Sequence, residues 1–181
     1  MDVMEWAQLQ GYSAVWNDLY FFGYISSIGS FTCQKAAEYG QLQALQWLRD
    51  NGCNWGAEIC AAAAANGHLF ILQWLREKGC DWDMYTCEAA AGNGHLSILQ
   101  WARDNGCDWG VETCAAAARN GHLSCLQWLR ENGCDWDMYT CEAAAANGHL
   151  PCLQWARENG CPEYYSDDEY PAPIWAEELW G

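Results

Sequence analysis

A short repeat runs through most of this chain and restricts its fold more than any other feature. One unit reads CDWDMYTCEAAAGNGHLSILQWARDNG over residues 80–106, and four of its positions recur at a fixed step of about 27 residues. They are a first cysteine (Cys53, Cys80, Cys107, Cys134, Cys161), a second cysteine (Cys33, Cys60, Cys87, Cys114, Cys141), a histidine (His68, His95, His122, His149) and a tryptophan (Trp47, Trp74, Trp101, Trp128, Trp155). A fixed period of about 20–50 residues is typical of proteins built from stacked repeats, in which each unit contacts only its neighbours.

Each unit is predicted to contain two helices. Asp83 stands at a helix N-cap, and an alanine-rich run of high helix propensity follows it. Asn93-Gly94 ends this first helix, because the pair tolerates the left-handed conformation of a C-cap. A second helix is predicted from about His95 to Asn105, with apolar residues over an arc wide enough to contact neighbours on both sides. The predicted fold class is therefore all-α.

The small-residue first helix and large-residue second helix resemble the ankyrin repeat. The resemblance rests on the alanines of 89–91, the Asn-Gly-His-Leu turn of 93–96, Leu99 and the Gly-Cys-Asp ending of 106–108. An ankyrin unit has about 33 residues. This unit is about six residues shorter, and the difference falls between Gly106 and Thr113, where the family builds a β-hairpin finger. The resemblance therefore implies a right-handed ankyrin-like α-solenoid with short turns and no hairpins, similar to short units of algal and giant-virus ankyrin families.

The chain is predicted to divide into three parts. Residues 1–25 form a degenerate N-terminal cap or a docking segment, residues 26–160 form five ankyrin-like repeats, and residues 161–181 form an acidic, aromatic C-terminal tail. Aligned over their full length, units 80–106 and 134–160 share 23 identities, units 53–79 and 107–133 share 20, and the adjacent units 53–79 and 80–106 share only 16. A block of two units was therefore duplicated, and the array is expected to present two alternating surfaces.

Composition narrows the function further. The formal net charge is −16 and the pI is about 4.3, so the surface repels phosphate backbones and nucleic acid is not an expected partner. Residues 1–10 lack the positive start of a signal peptide, and no apolar run approaches the about 18 residues that cross a membrane. We expect an intracellular protein in a reducing compartment. The cytoplasm is the favoured compartment, and an organelle is the alternative.

The twelve cysteines are interpreted as buried thiols, because free cysteine is a good small hydrophobe at repeated core positions. Disulfides and metal binding are the alternatives. The within-unit spacing C-x6-C differs from the C-x2-C of zinc sites, so no metal and no cofactor are predicted. Each histidine recurs in every unit and is interpreted as a turn-stabilising hydrogen-bonding group. No set of residues suited to catalysis can be singled out, and we do not expect an enzyme.

Residues that vary at repeated positions indicate where a partner would bind. At the start of the first helix, two units carry a methionine-tyrosine pair and two carry a glutamate, and buried positions do not exchange tyrosine for glutamate. The predicted partner-binding residues are Met84, Tyr85, Met138, Tyr139, Glu58 and Glu112. The two methionine-tyrosine pairs are expected about 20 Å apart on one edge, because stacked helices lie about 8–10 Å apart. The alternative is that each methionine-tyrosine pair packs on the tryptophan of its own unit.

The C-terminal tail adds further predicted contact residues, because solvated tails are usually poor in aromatic side chains. They are Tyr164, Tyr165, Tyr170, Trp175 and Trp180. The tail either docks on a neighbouring subunit or folds back over the last repeat. The sequence thus predicts a non-enzymatic protein–protein interaction scaffold, as a structural or linker subunit of a hetero-complex whose partner has a basic surface. The alternative function is a thiol- or metal-based sensor that uses the repeated cysteines.

Overall fold

The computed structural model describes residues 30–162, with side chains from residue 32 onward, and this segment folds into ten helices of nine residues each. They are α1 (Ser30–Glu38), α2 (Leu42–Asp50), α3 (Ala57–Ala65), α4 (Leu69–Glu77), α5 (Met84–Gly92), α6 (Leu96–Asp104), α7 (Val111–Arg119), α8 (Leu123–Glu131), α9 (Met138–Ala146) and α10 (Leu150–Glu158). Counterpart helices of successive units are evenly spaced along the chain, at the same step as the sequence repeat. The predicted all-α repeat fold is confirmed.

The ten helices form two layers. The first-helix layer consists of α1, α3, α5, α7 and α9, and each of these packs closely against the next. The second-helix layer consists of α2, α4, α6, α8 and α10, and each of these packs mainly against the first helix of its own unit. The first-helix layer is therefore the more tightly stacked side of the array.

Side-chain size explains the difference between the layers. The buried positions of α5 are Thr86, Cys87, Ala90, Ala91 and Gly92, which allow neighbouring backbones to approach closely. In α6 the buried positions Ile98 and Leu99 are larger, and they fill the space between the layers. Burial of one such aliphatic side chain contributes about 1.5–3 kcal/mol relative to leaving it exposed. Stacking is thus the main source of stability for helices too short to persist alone.

Short, repeated capping motifs define where the helices begin and end. Asp83 accepts a hydrogen bond from the Tyr85 backbone N–H at 3.1 Å and so caps the start of α5. At the end of α6, Gly106 adopts a φ of +83°, which only glycine adopts readily. The Cys107 N–H then donates to the Ala102 carbonyl at 2.9 Å and closes the turn.

The turn from α6 to α7 occupies only residues 105–110, and no strand occurs anywhere in the segment 30–162. The missing β-hairpin finger, predicted from the shortened unit, is therefore confirmed over this segment. The first helix of the unit ends at Gly92, directly before the predicted Asn93-Gly94 stop. The second ends at Asp104, with Asn105 as its C-cap.

Candidate protein-binding surface

The helices α3, α5, α7 and α9 each present their second residue to solvent. Tyr85 is 61% exposed and Tyr139 is 52% exposed, although both are large aromatic side chains. Glu58 and Glu112, at the corresponding positions of the other two units, are exposed as well. These four predicted partner-binding residues therefore lie on one side of the first-helix layer.

The N-cap decides which way Tyr85 faces. The Asp83 carboxylate accepts a hydrogen bond from the Tyr85 N–H, and the Thr86 N–H donates to the Asp83 carbonyl, which fixes the first turn of α5. Thr86 and Cys87, the next two residues, point into the core and are fully buried. Tyr85 lies on the opposite side of the same turn and remains accessible. Asp137 and Tyr139 repeat this arrangement with a hydrogen bond of 3.0 Å.

Met84 contacts the next unit, which the sequence did not indicate. A Cβ added at Gly110 would lie 2.7 Å from the Met84 methyl carbon, so this side chain packs against the start of α7 in the next unit. Met84 is 36% exposed, and Met138 is half-buried. The methionine therefore joins neighbouring units, and the adjacent tyrosine is the more accessible member of each pair.

A groove opens beside Tyr85 between α1, α3 and α5, with a cavity volume of about 470 Å³. Its floor is made of alanines: Ala57, Ala61, Ala62, Ala65 and Ala89. Its polar lining comes from Gln34, Glu58, Asp83 and Tyr85. Two carboxylates and one aromatic ring thus surround an apolar floor, and no lysine or arginine is among the described residues that line the groove.

The edge where fingers are missing is occupied by a ladder of arginine and tryptophan side chains. Each guanidinium lies 4.1–4.4 Å from the centre of a turn tryptophan ring, in the pairs Arg49–Trp55, Arg76–Trp82, Arg103–Trp109 and Arg130–Trp136. Each of these rings then meets a second-helix tryptophan edge-on at 5.5–5.7 Å, in the pairs Trp55–Trp74, Trp82–Trp101, Trp109–Trp128 and Trp136–Trp155. The arginines, which also recur once in every unit, were not singled out from the sequence although their period was visible there.

This Arg–Trp ladder changes the charge that a partner meets. Four of the eight lysines and arginines of the chain lie against its rings, and Arg103 also donates to the Cys107 carbonyl at 3.3 Å. Fifteen of the 24 aspartates and glutamates lie in residues 30–162. Asp108, for example, has a side chain that is 92% exposed. The accessible charge of the array is therefore mainly negative.

Eight of the twelve cysteines lie in pairs separated by 20 residues, in which the first-helix cysteine of one unit meets the turn cysteine that begins the next. In the first of these pairs, the sulfur atoms of Cys33 and Cys53 are in direct contact. The other ten cysteines are buried thiols. A hydrogen bond to the paired cysteine, together with burial, raises the pKa of Cys60, Cys87 and Cys114.

The histidines stabilise contacts between units rather than only their own turns. The Nε2–H of His68 donates to the Glu38 carbonyl at 3.0 Å, and that of His95 donates to the Ala65 carbonyl at 3.1 Å. The four rings also lie against the glycines of the preceding turns, namely Gly40, Gly67, Gly94 and Gly121. Sequence analysis predicted the hydrogen bonds but not that their acceptors belong to the preceding unit.

Two further observations limit the chemistry of the described segment. Within residues 30–162, no three His, Cys, Asp or Glu side chains are grouped so that they could hold a metal ion. No helix of that segment is long and apolar enough to cross a membrane. The predicted tail residues Tyr164, Tyr165, Tyr170, Trp175 and Trp180 lie outside the described residues, as does the segment 1–25.

Tandem helix pairs that stack in two layers define the class of α-solenoid repeat proteins. Within that class, residues 112–157, which include most of α7 and continue into α10, match the family model for ankyrin repeats (many copies). The remaining described units repeat the same sequence at the same step, so residues 30–162 form an array of helix pairs similar to ankyrin repeats, and the resemblance drawn from the sequence is confirmed. A search of curated proteins found no match to the chain.

Proposed function

We propose that this chain is a recognition scaffold that binds a protein partner across the exposed side of its first-helix layer. Ankyrin repeats are a non-enzymatic type of protein–protein interaction domain. The observation that carries the proposal is the exposure of Tyr85 and Tyr139 at equivalent positions of the duplicated block. Tyrosine is enriched at protein interfaces because it provides a large, rigid contact area with a polar end.

The partner presents a basic surface. Glu58, Glu112 and Asp83 flank the tyrosines, whereas the Arg–Trp ladder holds four cations on the turn edge. Opposite charges across an interface mainly raise the association rate and select the partner. The affinity should therefore fall as ionic strength rises, because screening acts within about 10 Å at 0.1 M salt. In the same proposal, the scaffold is a structural or linker subunit of a hetero-complex.

A double substitution tests the proposal. Tyr85→Ala combined with Tyr139→Ala should weaken the affinity for a partner captured with the parental protein by about tenfold or more. Phe70→Ala is the matched control, because Phe70 is 67% exposed but lies on α4 in the second-helix layer. Equal affinities of the double variant and the parental protein, measured by calorimetry, would overturn the proposed surface.

The cysteine pairs support a second candidate function, a thiol-based sensor. Four pairs, Cys33–Cys53, Cys60–Cys80, Cys87–Cys107 and Cys114–Cys134, have the same separation of 20 residues. For a sensor, thiol titration of denatured protein should find twelve thiols after reduction and fewer after oxidation, with thiols lost two at a time. For a sensor, reduction must also change the partner affinity; an unchanged affinity would leave the cysteines with a packing role only.

A further inference from the structure

The duplication of two units, residues 53–106 (the first block) and 107–160 (the second block), provides an internal comparison for the groove beside Tyr85. Every groove residue has a counterpart two units later in the chain, and Glu58, Asp83 and Tyr85 correspond to Glu112, Asp137 and Tyr139. The acidic and aromatic lining is therefore present twice. Two floor residues differ in size, because Ala57 corresponds to Val111 and Ala65 corresponds to Arg119.

In the second block, the alanines of the floor are closed to solvent. Ala115 and Ala116 are 1% and 5% exposed, whereas their counterparts Ala61 and Ala62 remain partly exposed at the bottom of the groove. Gly92 contributes to this closure, since a Cβ added there would lie 3.4 Å from the Ala116 methyl group. The second block is thus the filled form of the same site.

Arg119 provides a positive charge near the carboxylates of the second block. Glu88, the counterpart of Gln34, lies near both Glu112 and Arg119. Burial and the Glu112 charge raise the pKa of Glu88, and the Arg119 guanidinium opposes that rise. The positive charge of Arg119 therefore partly offsets the effect of burial and of Glu112 on Glu88.

The first block has the carboxylates without the arginine. Ala65 stands where Arg119 would be, and the volume that an arginine side chain would occupy is part of an open cavity of about 470 Å³. Glu58 and Asp83 lie on its lining, and the Tyr85 ring provides an aromatic face for a cation. Planar guanidinium groups suit such a combination of carboxylate and ring better than a lysine ammonium does.

We propose that this groove binds an arginine side chain supplied by the partner protein, which takes the place that Arg119 occupies in the second block. The inference rests on the proposed partner-binding function and identifies the chemistry of one contact within it. The alanine floor accommodates the aliphatic part of the side chain, and the carboxylates of Glu58 and Asp83 meet its charged end. The partner is thereby distinguished from a merely basic protein by one arginine that enters a defined pocket.

Acetyl-arginine amide is the probe, titrated into the full-length protein and followed by backbone amide chemical shifts. We expect shifts confined to the surroundings of Ala61, Ala62 and Tyr85. Acetyl-citrulline amide has almost the same shape without the charge and should bind at least about tenfold more weakly. Equal shifts with citrulline, or shifts spread evenly over the acidic surface, would overturn the proposal. Acetyl-lysine amide with a free ε-amine should bind, but less tightly than the arginine probe.

Two reciprocal variants make the test independent of stability. Ala65→Arg converts the first site into the form of the second and should abolish probe binding, and Arg119 shows that the repeat accommodates an arginine there. Arg119→Ala should open the second site and produce a new set of shifts near Ala115 and Tyr139. Unchanged binding in Ala65→Arg would contradict the inference. If the probe does not bind while the tyrosine double variant still loses its partner, only the arginine pocket is wrong. If the probe binds while the double variant keeps its partner, the proposed function is wrong and the pocket remains.

Discussion

Thr86 and Thr140 are buried, and their hydroxyl oxygens have no hydrogen-bond partner within the part of the chain that the structure describes. Thr113, at the same position of the unit between them, accepts a hydrogen bond from the Gly110 N–H at 3.3 Å. The difference arises at the N-cap, because Asp83 and Asp137 cap their helices with their own carboxylates. Ile59 occupies the same position in the second described unit and is fully buried, so the fold does not require a hydroxyl there.

Thr86→Val should therefore stabilise the protein. Replacing an unsatisfied buried hydroxyl by a methyl group removes a desolvation cost of about 1 kcal/mol. Thr113→Val is the matched control and should destabilise the protein by about 1 kcal/mol, since it removes an existing hydrogen bond. Urea unfolding measures both free energies. Equal effects of the two substitutions would contradict the assignment of the hydrogen bonds.

Glu88 makes the stability of the folded protein depend on pH. Its pKa is raised in the folded state, mainly by burial and then by the Glu112 charge, so above that pKa the folded protein bears the cost of a charged Glu88. That cost disappears as the pH falls below the ordinary glutamate pKa of about 4.3, where both states bind the proton. Glu88→Gln, which copies Gln34 beside the first groove, should raise stability at pH 7 and leave it unchanged at pH 3. A larger gain at pH 3 than at pH 7, measured by thermal unfolding, would reverse the sign and refute the argument.

At the scale of elements, the Arg–Trp ladder replaces the missing fingers as the contact between consecutive units. The guanidinium of Arg103 lies 4.1 Å from the Trp109 ring centre, and the ring meets Trp128 edge-on. Arg103 is on α6, Trp109 is in the turn and Trp128 is on α8, so the turn connects the second helices of two consecutive units. A turn of six residues is thereby held without any β-structure in the described segment.

Arg103→Gln should lower the free energy of unfolding by about 1–2 kcal/mol, because it removes the ring contact and the hydrogen bond to the Cys107 carbonyl. Lys78→Gln is the control, since Lys78 is an exposed cation outside the ladder, and it should change stability by less than about 0.5 kcal/mol. Chemical denaturation of both variants provides the comparison. Equal losses would show that the ladder adds nothing beyond its charge.

The elements could be predicted from the sequence because each depends on local signals. The alanine run, the Asn-Gly pairs and the shortened ending predict two helices and no hairpin. Each described unit has these two helices and no hairpin. Contacts between units could not be predicted in the same way. The cysteine pairs, the histidine acceptors in the preceding unit and the arginines over turn tryptophans depend on how one unit is placed on the next, and a repeat period contains no information about that placement. The site was predicted only as exposed positions; the groove and its missing arginine became visible by comparing the two blocks in space.

At the scale of the whole molecule, the acidic C-terminal tail is predicted to be a docking segment. Deleting residues 163–181 should then leave the melting temperature of the isolated protein within about 2 °C of the parental value, while the complex with its partner is lost. The alternative, that the tail folds back over the last repeat, predicts a clear fall in melting temperature with assembly intact. Calorimetry of the isolated protein and sedimentation of the complex separate the two outcomes.

The central claim is that the exposed side of the first-helix layer is the surface a partner protein binds. Site-specific photo-crosslinking tests it most directly, with a photoreactive phenylalanine analogue placed in turn at positions 85, 139 and 70 in the full-length chain. We expect one protein to be crosslinked from positions 85 and 139 and not from position 70, and salt should weaken both crosslinks together. Crosslinking from position 70 with none from 85 or 139 would place the partner on the second-helix layer and refute the proposed surface.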